Sequence, residues 1–281
     1  MVTDNGIEWA LHRLGLLYAA QGKLDEAEKT YQRALQGKEK ALGLDHESTL
    51  GTVNNLGLVY ADQGKLDEAE KMFQRALQGY EKTWGPYSTM TLNIVHNLGN
   101  LYKSQGKLDE AENMYQRALQ GKEKAKEWGP DHPSTLNTVN NLGVHYADQG
   151  KLDEAEKMYQ RALQGYEKAW GPDHPSTLDT VRNLGVLYKS QGKLDEAEKM
   201  YQQALQGREK AWGPDHTSTL DTVNDLGNLY QSQGKLDETE KMYQRALQGK
   251  EKAWGPDHIS TLDTANDLGS LYQSQGKLDE A

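Results

Sequence analysis

The sequence predicts an all-α chain, a solenoid of antiparallel helix pairs, from three observations. The string Gln-Gly-Lys-Leu-Asp-Glu recurs at Gln21, Gln63, Gln105, Gln149, Gln191, Gln233 and Gln275, at intervals of 42, 42, 44, 42, 42 and 42 residues. A fixed period of this length signals an array in which each unit packs on its neighbours. Within each period, apolar residues recur every three or four positions in two runs, the spacing of one helix face. The Gln-Gly pair that opens this string stands between the two runs, where a helix must end.

The unit from Leu178 to Thr219 shows each element. Leu178, Val181, Leu184, Gly185 and Tyr188 share one helical face. Gln191-Gly192 ends that helix, because glycine accepts the left-handed conformation after the last turn. Leu194, Ala197, Met200, Tyr201, Ala204 and Leu205 form the second helix, with Asp195 and Glu196 in its first turn, where negative charge suits the helix dipole. It should run to about Lys210 or Trp212, before Gly213-Pro214 breaks it.

The connection Gly171-Pro172-Asp173-His174-Pro175-Ser176-Thr177 leads into a first helix. Asp173, His174 and Ser176 are all candidate N-caps, and Pro175 suits a first helical position. Ser176 and Asp179 also have capping-box spacing. A glycine recurs at one phase of every first helix: Gly15, Gly57, Gly99, Gly143, Gly185, Gly227 and Gly269. Each costs about 1 kcal/mol of helix propensity against alanine, so its recurrence implies close helix–helix contact. The single longer interval comes from Lys126 and Glu127, inserted before Trp128.

Composition narrows the partners. With 42 acidic and 32 basic residues the net charge is -10, which disfavours nucleic acid and anionic membranes. No apolar run is long enough to span a bilayer. Met1 to Ala10 lacks the pattern of a secretory signal. The absence of cysteine excludes disulfides and thiolate metal sites. A cytoplasmic protein without cofactor is expected. The chain stops at Ala281 in mid-unit, as a piece of a longer protein would.

At the level of motifs, Val53, Leu56, Gly57, Tyr60, Gly64, Ala69, Phe73 and Ala76 resemble the tetratricopeptide repeat. The length of the unit, with Glu-Lys-x-Trp-Gly-Pro-Asp-His-Pro before Asn-Asn-Leu-Gly, resembles the kinesin-light-chain type. The near-identity of the units resembles arrays at the C-terminus of fungal nucleotide-binding signalling proteins of the STAND class. This resemblance implies a right-handed α-α superhelix over residues 1–281, with the first helices lining a concave, ligand-holding face. It implies six complete repeats starting near Glu8, Leu50, Leu92, Leu136, Leu178 and Leu220, and a truncated seventh from Leu262.

Against such uniform units, the differences stand out. One first-helix column reads His12, Asn54, His96, Asn140, Arg182, Asn224 and Asn266. Columns four, seven and eight residues on also vary, and include Asn100, Asn228, Lys103 and Lys189. These positions share one face, and the resemblance places that face in the groove. Asn97, Asn141 and Asn183 stand beside the first column and extend an amide ladder able to bond a peptide backbone. The expected ligand face is therefore His12, Asn54, His96, Asn100, Lys103, Asn140, Asn141, Arg182, Asn183, Lys189, Asn224, Asn228 and Asn266, with Asp179, Asp221 and Asp263 as an acidic rim. Replacing Asn140, Arg182 and Lys189 together is expected to weaken binding without lowering stability.

Catalytic readings fail on periodicity. His46, His132, His174, His216 and His258 each follow an aspartate, but one copy per repeat cannot converge on a single ion; they read as helix-start motifs. Trp84, Trp128, Trp170, Trp212 and Trp254 recur at the end of second helices, with Leu42 in their place in the first unit, and read as packing between units. The expected function is a non-enzymatic scaffold that binds a protein or extended peptide, as the ligand-sensing part of a larger signalling protein. The alternative is an assembly module that self-associates through an uncapped C-terminal end, where Leu268, Leu271 and Tyr272 lack a complete covering helix.

Overall fold

The computed structural model describes residues 5–125 and 127–277. The inserted Lys126 lies outside them, as do residues 278–281, where the last repeat's second helix is expected to begin. The described residues form thirteen helices and no strand. They are α1 Asn5–Ala20, α2 Leu24–Leu42, α3 Glu47–Asp62, α4 Leu66–Trp84, α5 Thr89–Ser104, α6 Leu108–Lys124, α7 Pro133–Asp148, α8 Leu152–Trp170, α9 Pro175–Ser190, α10 Leu194–Trp212, α11 Thr217–Ser232, α12 Leu236–Trp254 and α13 Ile259–Ser274. None is long and apolar enough to cross a membrane. The chain divides into two compact units, residues 1–145 and 146–281.

Odd-numbered helices open three residues ahead of the leucine column, at Glu47, Thr89, Pro133, Pro175, Thr217 and Ile259. The reason is the cap. Of the three candidates before α9, the structure selects His174, whose Nδ1 accepts from the Ser176 amide at 3.2 Å. His46, His132, His216 and His258 do the same. Before α5, Ser88 stands in the histidine column, and its Oγ accepts from the Thr91 amide at 3.2 Å. The Asp-His pairs are thus helix starts, and the Ser176–Asp179 capping box does not form. Pro175 follows its cap as expected. Gly192 takes φ 74° after α9, and Gly213 takes φ 89° after α10, angles that L side chains resist.

In the first unit α1 packs on α2, α3 on α4 and α5 on α6; in the second, α9 pairs with α10 and α11 with α12. Close approach depends on the glycines. A Cβ on Gly185 would stand 2.8 Å from two ring carbons of Tyr201, and one on Gly57 would stand 2.8 Å from Phe73. A second glycine column, in the even-numbered helices, does the same at the other end of the pair: a Cβ on Gly79 would meet Leu50 at 2.6 Å. These glycines let fully buried aromatic and leucine side chains lie directly on the facing backbone.

Contacts between consecutive pairs explain why the exposed Lys-Leu-Asp-Glu run stays constant. Lys65 reaches back to Glu28 (2.7 Å), Lys107 to Glu70 (3.0 Å) and Lys235 to Glu198 (2.9 Å). Gln105 and Gln233 bond the same glutamates. Each tie is weak by itself at the surface, but it recurs along the array. Two expectations need correction. Trp128 does not end a helix: the inserted residues leave Ala125 extended, so α6 stops at Lys124. Leu268, Leu271 and Tyr272 are not left uncovered, because they pack on Tyr243 of α12.

Candidate functional site

The variable face of the first helices is built as a ladder between consecutive repeats. Asn97 Nδ2 donates to Asn54 Oδ1 at 2.9 Å, and Asn141 Nδ2 contacts His96 Nε2 at 3.2 Å. In the second unit Arg182 Nε donates to Asp225 at 2.5 Å, and Asn224 donates to Asp267 at 3.2 Å. The column of His12 and Asn54 therefore meets the neighbouring column of the next repeat, and the arginine at 182 faces an aspartate at 225. Much of the capacity expected to serve a ligand is spent inside the array. Arg182 in particular is tied and half-buried, so replacing it without loss of stability does not fit this geometry.

Both histidines of the column are held neutral. His96 is buried, and its Nδ1 lies 3.2 Å from Thr138 Oγ1. With Asn141 donating to Nε2, the ring proton belongs on Nδ1, facing that hydroxyl. Burial, aided by Lys122, pushes its pKa down to about 3. His12 lies 3.1 Å from Thr52 Oγ1, and burial followed by Lys38 lowers it to about 4. These rings offer hydrogen bonds, not charge.

Two clefts open on this face within the first unit. The smaller, about 300 Å³, is lined by Asn100, Lys103, Ser104, Tyr115, Asn141 and Val144. The Asn100 carbonyl accepts from Tyr115 at 2.7 Å and from Asn141 at 3.2 Å, so its amide group keeps the capacity for a ligand. The larger, about 490 Å³, runs along α1, α3 and α5. Trp9, Tyr80, Met90 and Ile94 supply apolar surface, while His12, Asn54, Asn55 and Asn93 supply polar groups.

The structure thus brings together Asn100, Lys103 and Asn141 in one cleft and His12 and Asn54 in another. Asn228 accepts from Tyr243 at 2.6 Å. Asn140, Asn183, Lys189 and Asn266 lie on α7, α9 and α13, all half-buried except the exposed Asn266, and line neither cleft.

The residue after Gln-Gly in the even-numbered helices carries chemistry that sequence reasoning missed. It reads Lys38, Tyr80, Lys122, Tyr166, Arg208 and Lys250, and all six side chains are buried. The four cations each donate to a serine carbonyl and a threonine hydroxyl of the following first helix, as Lys38 does to Ser48 O at 3.2 Å and Thr52 Oγ1 at 2.8 Å. Arg208 is paired with Asp179, and Lys250 lies 3.3 Å from Asp221. Two members of the expected acidic rim are therefore neutralised from below. The signal was available: this column changes character between units inside a nearly constant second helix.

Trp128, Trp170, Trp212 and Trp254 lie ring to ring against the cap histidines, with centroids 4.1 Å apart for Trp170–His174 and 4.8 Å for Trp254–His258, while Trp84, ahead of the Ser88 cap, lies against Tyr80. The histidine contacts join the end of one repeat to the start of the next, as packing between units requires.

Comparison with known proteins agrees with this architecture. The tetratricopeptide repeat model matches residues 6–82, 48–124, 125–168, 134–210 and 213–281. No curated protein matches. Among solved structures, BtubC (BKLC) from P. vanneervenii is similar with a TM-score of 0.70 at 21% identity, over 83% of this chain and 92% of that one. A Podosopora anserina putative kinesin light chain with nearly identical TPR-like repeats has a TM-score of 0.59 at 24% identity, over 72% and 95%. A signal transduction ATPase with numerous domains from Pyrococcus horikoshii, which carries a tetratricopeptide repeat sensor, has a TM-score of 0.73 at 16% identity; it covers 98% of this chain but only 40% of that protein. At these identities the likeness is one of fold, and the family assignment rests on the repeat pattern itself. Paired helices in fixed period, glycines against buried tyrosines and a family model matching along the array together place this chain in the tetratricopeptide repeat family.

Proposed function

We propose that this chain is a non-enzymatic scaffold that holds another protein, or an extended peptide, against the face of its first helices. The groove of about 490 Å³ over α1, α3 and α5 carries the reading. It places exposed apolar side chains, with Trp9 60% accessible, beside the amides of Asn54, Asn55 and Asn93 and the His12 ring, with Lys38 and Glu47 also in the lining, a mixture suited to one apolar anchor and a hydrogen-bonded backbone. The Asp-His pairs are absorbed as caps and surface ion pairs, such as Lys82–Asp45 at 2.6 Å, which leaves them no catalytic task. The likeness to a protein with a repeat sensor supports a role as the recognition part of a larger signalling protein. Peptides selected on the immobilised chain test this: Trp9→Ala with Met90→Ala should weaken them at least about tenfold, roughly 1.4 kcal/mol, with helicity unchanged. Undiminished binding to the double variant refutes the groove.

A second reading, assembly between copies, is favoured by α1, where Ile7, Leu14 and Leu17 are exposed. Light scattering over a concentration series decides it, since a strict monomer removes the reading.

A further inference from the structure

The buried cation column contains one member that meets no carboxylate among the described residues. Burial lowers the pKa of Lys38, and Glu8 partly offsets it. Arg208 has Asp179, and Lys250 has Asp221. Both acids stand 29 residues ahead of their cation. The residue in that place before Lys122 is Asn93, and among the described residues no carboxylate pairs with Lys122. Yet Lys122 is only 2% accessible. It donates to Ser134 O at 3.2 Å and Thr138 Oγ1 at 3.0 Å, and lies 5.2 Å from the centre of the Trp128 ring. A buried ammonium without a counter-charge is costly, and burial alone pulls its pKa down to about 8.

The paired repeats show what the missing group is and where it sits. The side chains of Asp179 and Asp221 are 61% and 46% accessible, although the cations beneath them are 4% accessible. A carboxylate in this position is thus reachable from solvent while it touches a buried charge. Asn93 is exposed and also lines the large groove, so a peptide in that groove passes this position. We propose that Asn93 and Lys122 form a receptor for one acidic side chain of a bound peptide, whose carboxylate displaces the Asn93 side chain from the place that Asp179 and Asp221 fill in the second unit. The Asn93 amide and the third Lys122 N–H donate to it. Partial desolvation of the site makes this contact stronger than a surface ion pair. The proposal rests on the first-helix face being the binding face.

Two substitutions already present in the array provide the test. Asn93→Asp supplies the counter-charge from within, as Asp179 does, and Lys122→Tyr copies Tyr80 and Tyr166. Fluorescein-labelled (Ala-Glu)3 and (Ala-Gln)3 are titrated by anisotropy at low salt. The unmodified chain should prefer the glutamate peptide by about tenfold, despite its own net charge of -10, and both variants should lose the preference. Asn93→Asp should also raise the melting temperature. Absence of a preference in the unmodified chain, its persistence in either variant, or a fall in stability on Asn93→Asp overturns the proposal. Peptides selected on the groove that bind the unmodified chain and Asn93→Asp equally would leave the groove reading standing and remove this one.

Discussion

The glycine column makes a prediction in which equivalent substitutions have opposite signs. In α9, the Cβ of Gly185→Ala would sit 2.8 Å from Cδ1 and Cε1 of Tyr201, a ring only 1% accessible. Carbon atoms in good contact lie about 3.5–4.0 Å apart, so α9 and α10 would have to separate by roughly 0.7 Å, or the ring would have to leave its place. Overpacking of this kind costs about 1–3 kcal/mol. Alanine returns about 1 kcal/mol of helix propensity. The net effect is a loss of up to about 2 kcal/mol. At Gly269 in α13, no atom of the described residues lies within 4 Å of the added Cβ. Only the propensity remains, and Gly269→Ala should gain up to about 1 kcal/mol. Repeat arrays need not unfold in one step. The assay therefore combines urea denaturation, for Gly185→Ala, with hydrogen exchange of the α13 amides, for Gly269→Ala. Slower exchange in α13 together with a lower urea midpoint for Gly185→Ala is expected. If both substitutions stabilise, the account of the glycines as spacers for buried rings is wrong.

Arg182→Asn should cost about 2 kcal/mol, because it strands the half-buried Asp225; adding Asp225→Asn recreates the Asn54–Asn97 pair and should recover most of the loss. A double-mutant cycle without coupling would show that the ladder does not bind the repeats. His96 gives a pH dependence. Its folded pKa, about 3, lies below the unfolded value of 6.5, so the unfolded chain gains the proton first on acidification. Its contribution is present above pH 6.5 and declines toward pH 3, by about 2–3 kcal/mol at pH 4.5. Melting curves from pH 7 to 4.5 should therefore fall more steeply for the unmodified chain than for His96→Asn, and parallel curves would refute the assignment. His174→Ala should lower stability by about 1 kcal/mol through loss of the α9 cap, whereas His174→Ser, which copies Ser88, should be nearly neutral; equal urea midpoints for the alanine and serine variants would refute the capping role.

Much of the architecture was legible because local rules repeat. The Leu178–Tyr188 and Leu194–Leu205 runs could be read as helices since their spacing is set by helix geometry, and Gln191-Gly192 as a stop since φ 74° favours glycine. The choice among Asp173, His174 and Ser176 was not legible, because all three can cap and only the backbone path shows which oxygen or nitrogen meets the Ser176 amide. The face bearing His12, Asn54 and Arg182 was found from variation alone. Variation, however, does not separate a residue that touches a ligand from one that touches the next repeat. Asn97, Asp225 and Asp267 stand about one period away from their partners, and that distance in sequence hid the pairing.

The sequence by itself determined the helices, their pairing in a fixed period and the family, because each depends on residues within about one repeat of each other. Tertiary structure alone decided which polar side chains are spent and which remain. Lys122, Arg208 and Lys250 occupy equivalent positions in the sequence and are equally buried. Their difference lies in what meets them from the paired helix: an aspartate for two of them, and no described carboxylate for the third. A charge is costly or balanced according to its neighbours in space, and only the folded chain sets those neighbours.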